Sequence, residues 1–160
     1  MANIDNACKD LEVKDFHSER TAETGIDTLS DILNAQKEMQ ETTYGYNFKD
    51  MTLADLREFF HMNNHALIDE VHELMDACGG IKDGIGSAFW KKWKKDYTKT
   101  SDMKFSDLSE GDQKEAKMEL VDILHFFMNY AAALGMDGKE MYNYYMAKNA
   151  ENKARQARGY

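Results

Sequence analysis

Apolar residues recur at helical rather than strand spacing along most of the chain, and glycine marks the breaks, since the sequence contains no proline. Over residues 28 to 43, Leu29, Ile32, Leu33 and Met39 fall on one face with Gln36 among them, which predicts an amphipathic first helix ending near Gly45. Thr52 and Asp55 carry the spacing of a capping box. The hydroxyl satisfies an early backbone N–H, and the acid lies where the helix dipole favours it. A long second helix should follow to Cys78 and stop at Gly79 and Gly80, because glycine readily takes the left-handed conformation that ends helices. A glycine-rich connector through Gly86 leads to a short segment over 88–97, which carries Phe89, Trp90 and Trp93. Ser109 starts another helix, to Gly135, and Asp137 with Glu140 starts the last. Residues 1–20 are polar and weakly periodic, and 21–160 form a single domain. Four main helices and a short one make the expected fold all-α, a four- to five-helix bundle.

Residues 118–134, MELVDILHFFMNYAAAL, are apolar nearly all round and predict a central buried helix. Its polar members, Glu119, Asp122, His125 and Asn129, fall within one arc of about 120° at the helical rotation per residue. The second helix has a matching pair, Glu70 and Glu73, beside Leu67, Ile68, Val71 and Leu74. Buried and unpaired, such acids cost several kcal/mol per charge, so cations must compensate them. Hard carboxylate oxygens on two facing helices suit Mg²⁺ or Mn²⁺, ions that in turn bind phosphate oxygens. One acid pair on a helix usually means only a solvated face. Two pairs on apolar helices, with a Lys/Trp-rich segment between them and a basic tail after them, indicate a site.

A rival chemistry resides in Asp122-x-x-His125, Glu58-x-x-His61 and Asp69-x-x-His72, which have the carboxylate/histidine spacing of di-iron helical bundles. Asp69 and His72 flank the Glu70/Glu73 face instead of sharing it, so one inward ligand set cannot use them all. For each histidine alone, a hydrogen-bonded core or surface role is the plainer reading.

Net charge narrows the partners. At −9 over 160 residues the chain is no nonspecific nucleic-acid coat, because phosphate binding by counterion release needs clustered cations. Basic islands at Lys91, Lys92, Lys94 and Lys95, and at Lys148, Lys153, Arg155 and Arg158, are either solvated faces or receivers of an anionic ligand. An acidic helical binding protein, such as a nucleic-acid mimic, fits the charge but needs its acids outside, not on an apolar helix. Cys8 and Cys78 have neither disulfide-framework nor metal spacing, which suits a reducing cytosol. No leader and no spanning run of apolar residues is apparent, so no membrane role is expected. Trp90 and Trp93 read as core or interface anchors, and Tyr142, Tyr144 and Tyr145 as an inter-subunit surface.

The stretches FWKKWKK (89–95), KMELVDILHFFMN (117–129), ALGM (133–136) and KNAENKARQARGY (148–160) closely resemble the phage-type dCTP pyrophosphatases of T-even bacteriophages. They are also similar to the dimeric all-α dUTPases, within the wider MazG-like group. The resemblance covers about 36–160 and is strongest from 87 onward. It implies that Glu70, Glu73, Glu119 and Asp122 are the metal-binding acids, holding two or three Mg²⁺ ions, with Glu73 activating the attacking water. It further implies that Lys148, Asn149, Asn152, Arg155 and Tyr160 contact phosphates, sugar or base, assisted by lysines such as Lys91 and Lys94, and that Gln36 recognises the pyrimidine edge. The implied activity is hydrolysis of dCTP or dUTP to the monophosphate and pyrophosphate by a homodimer, controlling dNTP pools in the bacterial host cytoplasm. A purine-specific MazG-like branch is the alternative. The chain departs from the pattern in having Gln40 where dimeric dUTPases often have asparagine, in the length of its linker between the acid pairs, and in lacking the additional mobile region of longer dUTPases.

Overall fold

The computed structural model describes Gly25, residues 27–78 and residues 103–159. The expectations for 1–20, for the stop at Gly79 and Gly80, for the segment 88–97 with Lys91, Lys94, Trp90 and Trp93, and for Tyr160 lie outside the described residues. Four α-helices and no strand occur among those described, so the chain is all-α. They are α1 (Thr28–Thr42), α2 (Leu53–Cys78), α3 (Glu110–Ala133) and α4 (Gly138–Ala157), with single 3₁₀ turns at Phe48–Asp50 and Phe105–Asp107.

Side chains fix where each helix begins. The Asp27 carboxylate accepts from the Ser30 backbone N–H at 3.1 Å and starts α1. At α2, Thr52 Oγ1 accepts from the Asp55 N–H at 3.2 Å while Asp55 Oδ2 accepts from the Thr52 N–H at 2.9 Å, the reciprocal bonds of the expected capping box. Ser109 Oγ caps α3 through the Asp112 N–H, and Asp137 caps α4 through the Glu140 N–H at 2.7 Å. Gly135, at φ 70°, ends α3 with its own N–H donating to the Ala132 carbonyl and that of Met136 to the Ala131 carbonyl. This paired closure satisfies two otherwise orphaned carbonyls and needs a left-handed residue.

The described residues fall into two compact units, those of His61–Phe126 and those of Asp15–Phe60 with Phe127–Tyr160. In the second, Leu33, Phe48, Phe59, Met128, Ala131 and Ala132 are buried. Phe59 packs edge-on to Tyr46 and Phe48 at ring separations of 4.9 and 5.3 Å, and Phe60 meets Tyr130 at 5.0 Å. In the first, Ala116 is buried, and the buried Asn63 side chain of α2 donates to the Phe126 carbonyl of α3 at 2.9 Å. The expectation that 118–134 is buried all round does not hold: Leu120 is 56% and Phe127 52% exposed, with Val121 and Leu134 also open. Composition reports how apolar a helix is but not how many of its sides are covered, and here only one face is.

Helices α1 and α4 are in contact, with Gly138 of α4 close against Ser30 of α1. A Cβ on Gly138 would meet the Ser30 hydroxyl and lie 2.9 Å from the Ser30 Cα and N, which are backbone atoms and cannot swing away. Gly138→Ala should therefore destabilise the protein by about 1–3 kcal/mol, although alanine is intrinsically the better helix former. Urea titration checks this, and a stabilised variant would contradict the close approach.

Candidate functional site

Glu119 and Asp122 are three residues apart on α3 and so share a face, and Glu70 reaches the same point from α2. One carboxylate oxygen from each of Glu70, Glu119 and Asp122 lies within 4.8 Å of the others. All three belong to the His61–Phe126 unit, where the Asn63 to Phe126 hydrogen bond ties the two helices. Glu119 is only 7% exposed, with Ala116 buried one turn before it; Glu70 and Asp122 are half-buried. Among the described residues no hydrogen-bond donor or cation reaches the Glu119 carboxylate.

The electrostatic consequence is large. Burial first, and then the charges of Glu73, Asp122, Glu115 and Glu70, push the Glu119 carboxyl up to about 7. Glu70 is also raised, by burial and then by Glu73, Asp122 and Asp69. Three oxygen donors with no histidine or thiol among them, one on a residue only 7% exposed, fit a hard divalent cation such as Mg²⁺ or Mn²⁺.

The predicted residues are not all brought together. Glu73 is exposed and outside the 4.8 Å group, although its charge acts on both Glu119 and Glu70, so the four acids are not equally buried. The histidines of the di-iron spacing stand apart from the cluster: His61, His72 and His125 are exposed, and His61 meets His65 edge-on with ring centroids 4.6 Å apart. Gln36 is 4% exposed, and its Nε2 donates to Oδ1 of Asn129, equally buried, at 2.7 Å. The tail is helical, forming the last turns of α4. Along it Lys148, Asn152 and Arg155 are exposed and Asn149 is half-buried, while Arg155 and Arg158 share Glu151 Oε1 at 3.2 and 2.8 Å. Sequence reasoning noted Gln40 only as a departure from the dUTPase pattern and passed over the buried Asn63, and also Glu115, whose Oε2 is buried without a hydrogen-bond partner. The signal for Glu115 was its position four residues before Glu119.

The raised Glu119 makes a prediction for the metal-free protein. Its folded carboxyl keeps a proton up to about pH 7, whereas an unfolded glutamate loses it near 4.5. Between those values the native state binds the extra proton, so stability is greatest at the acid end and falls as pH rises, by on the order of 3 kcal/mol. The capping acids Asp27 and Asp55, lowered by hydrogen bonds from Ser30 and Thr52, act in the opposite sense but only below about pH 4. With a chelator present, the melting temperature should fall between about pH 5 and about pH 7.5. A profile that rises through this window would refute the buried cluster.

No protein-family model matches the chain, and no solved structure matches it. Known proteins do. The dCTP pyrophosphatase of Enterobacteria phage LZ5 is 36% identical over 172 aligned positions, spanning 100% of both chains. The dCTP pyrophosphatase of Enterobacteria phage T4 is 37% identical over 111 positions, 68% of this chain and 65% of that protein. A DNA replication protein of phage T4 is 36% identical over 100 positions, which are 61% of this chain but 26% of that protein. Full-length identity at this level, on an all-α chain, establishes that the chain belongs to the phage dCTP pyrophosphatase family.

Proposed function

We propose that this protein hydrolyses dCTP to dCMP and pyrophosphate, with dUTP as a second substrate, and that Glu70, Glu73, Glu119 and Asp122 hold the Mg²⁺ or Mn²⁺ the reaction depends on. The observation that carries the reading is the convergence of three carboxylates within 4.8 Å, one of them on a residue only 7% exposed. Four carboxylates facing a triphosphate would gather about eight negative charges, a repulsion no helix dipole offsets. Bound divalent ions supply the countercharge for the phosphates and a more acidic water. The protein's own groups do the rest. Glu119 and Asp122, on one rigid helix, and Glu70 on its neighbour fix the ligand oxygens. Glu73, open to water and within charge reach of Glu119, takes the proton from the attacking water.

The buried Gln36–Asn129 pair supports base recognition, because linked amides both donate and accept and are held in place by each other. Lys148 and Arg155 are assigned to phosphate charge. Arg155 now pairs with Glu151 on an exposed face, where an ion pair contributes only about 0–1 kcal/mol, so exchanging it for phosphate costs little. Asn149 and Asn152 are assigned to sugar or base. Consumption of dCTP in this way would regulate the deoxynucleotide pool of the infected host's cytoplasm. Among the described residues no helix is long and apolar enough to cross a membrane.

A homodimer completes the reading. Leu120 and Phe127, seven residues apart on α3, form an exposed apolar stripe, and Tyr142, Tyr144 and Tyr145 stand open on α4. Light scattering should give twice the chain mass for the wild type and the chain mass for Phe127→Glu; a wild-type monomer would remove this part of the account.

A nucleotide screen with Mg²⁺ tests the activity. The highest kcat/KM is expected for dCTP, then dUTP, with purine and ribonucleotides poorer. Gln36→Ala should narrow the preference for pyrimidines while leaving metal binding intact. Asp122→Asn should lower turnover by more than the roughly 10- to 100-fold typical of losing a supporting residue, without unfolding the chain. Best turnover of dATP or dGTP would assign the chain to a purine-specific branch instead.

A further inference from the structure

Glu115 belongs to neither acid pair, and nothing in the E-x-x-E and E-x-x-D spacing calls for it. Its Oε2 is nevertheless the one side-chain polar atom among the described residues that is buried with no hydrogen-bond partner. Such an acceptor is costly to keep, since it has lost water and gained nothing, and a glutamine or an aliphatic residue would fill the position at less expense to the fold. Native proteins retain orphans of this kind where a ligand satisfies them.

Its position shows which ligand. Four residues before Glu119 on α3, Glu115 lies on the same face, and Asp122 continues the line, so three acids run along about 10 Å of one helix. Its charge is felt at Glu119, where it adds to the burial and to the neighbouring acids that raise that carboxyl. It stands outside the group of oxygens that lie within 4.8 Å of one another. A residue on the same helix face but outside that group suits the next layer rather than the inner sphere, because Mg²⁺ gives up its waters reluctantly and keeps several of them when bound by carboxylates.

We infer that Glu115 is a fifth acid of the cation centre, a positioning residue whose buried oxygen accepts hydrogen bonds from the water shell of the ion held by Glu70, Glu119 and Asp122. The inference rests on the proposed cation site and extends it to a residue that the motif spacing omits. Outer-layer acceptors of this type orient what the ligands hold, and losing one typically weakens metal affinity by about 10- to 100-fold.

Calorimetric titration of the full-length protein with Mn²⁺ alone, beside thermal melts in chelator, tests this. Glu115→Gln keeps the shape and loses the charge. It should bind Mn²⁺ at least about tenfold more weakly yet melt no lower than wild type without metal, because a buried like charge has been removed. Glu115→Asp, which keeps the charge on a shorter arm, should recover part of the affinity. Unchanged Mn²⁺ affinity in Glu115→Gln, or a metal-free melting temperature well below wild type, makes Glu115 a structural side chain and overturns the inference. Glu119→Gln separates the two levels of the argument. If it loses Mn²⁺ while Glu115→Gln does not, only the fifth acid fails; if it binds Mn²⁺ as wild type does, the cation site itself fails and this inference with it.

Discussion

The carboxylate of Glu119 is withdrawn from water beside the carboxylates of Glu70 and Asp122, and the two helices that hold it there provide no positive charge in return. Most other features of the His61–Phe126 unit follow from that juxtaposition. A buried charge among like charges either takes a proton or takes a cation, and the rise of Glu119 to about 7 shows the first of these at work. On the proposed reading the second gives the cluster its chemistry. A site that is disfavoured when metal-free would bind a divalent ion with the repulsion relieved, and that ion would neutralise a triphosphate that the acids alone would repel. Local stability would thus be exchanged for a binding function, which would account for acids at helix positions where apolar residues would pack better.

Much of this was legible in the sequence, for identifiable reasons. The starts of α2, α3 and α4 were readable because Thr52, Ser109 and Asp137 satisfy backbone donors within three residues, an interaction that depends on nothing distant. The end of α3 was readable because Gly135 needs a positive φ. Periodicity put Glu119, Asp122, His125 and Asn129 on one arc; Glu119 and Asn129 are buried and Asp122 half-buried, whereas His125 is exposed. What failed were judgements that depend on packing partners. The apolar content of 118–134 suggested burial on every side, yet Leu120 and Phe127 are open, because a helix's own composition does not count its neighbours. Periodicity alone likewise could not tell that Glu70 joins the close carboxylates while Glu73, exposed, lies outside that group. Asn63 and Glu115 went unnoticed because each needs a partner on another element, or the absence of one, to become conspicuous.

Family membership and geometry contribute different things. Identity of 36% along the whole of a phage dCTP pyrophosphatase places the chain among such proteins but does not say which atoms act. The arrangement of side chains supports the reading proposed for that layer. Carboxylates gathered on α2 and α3 would suit a divalent cation and its phosphates, and a buried amide pair linking α1 to α3, Gln36 with Asn129, would suit the hydrogen-bonding edge of a base. Histidines with the spacing of a di-iron centre are turned to solvent, and the acid cluster contains none of them. A hard-cation site acting on phosphates is therefore the chemistry these residues support best.

The most direct test follows dCTP by ³¹P NMR in the presence of Mg²⁺, with wild-type protein, with Glu119→Gln, and with wild type plus excess chelator. The account predicts that wild type with Mg²⁺ produces dCMP and pyrophosphate, and that neither the variant nor the chelated sample does. Release of orthophosphate with dCDP, or undiminished conversion by Glu119→Gln, would contradict it.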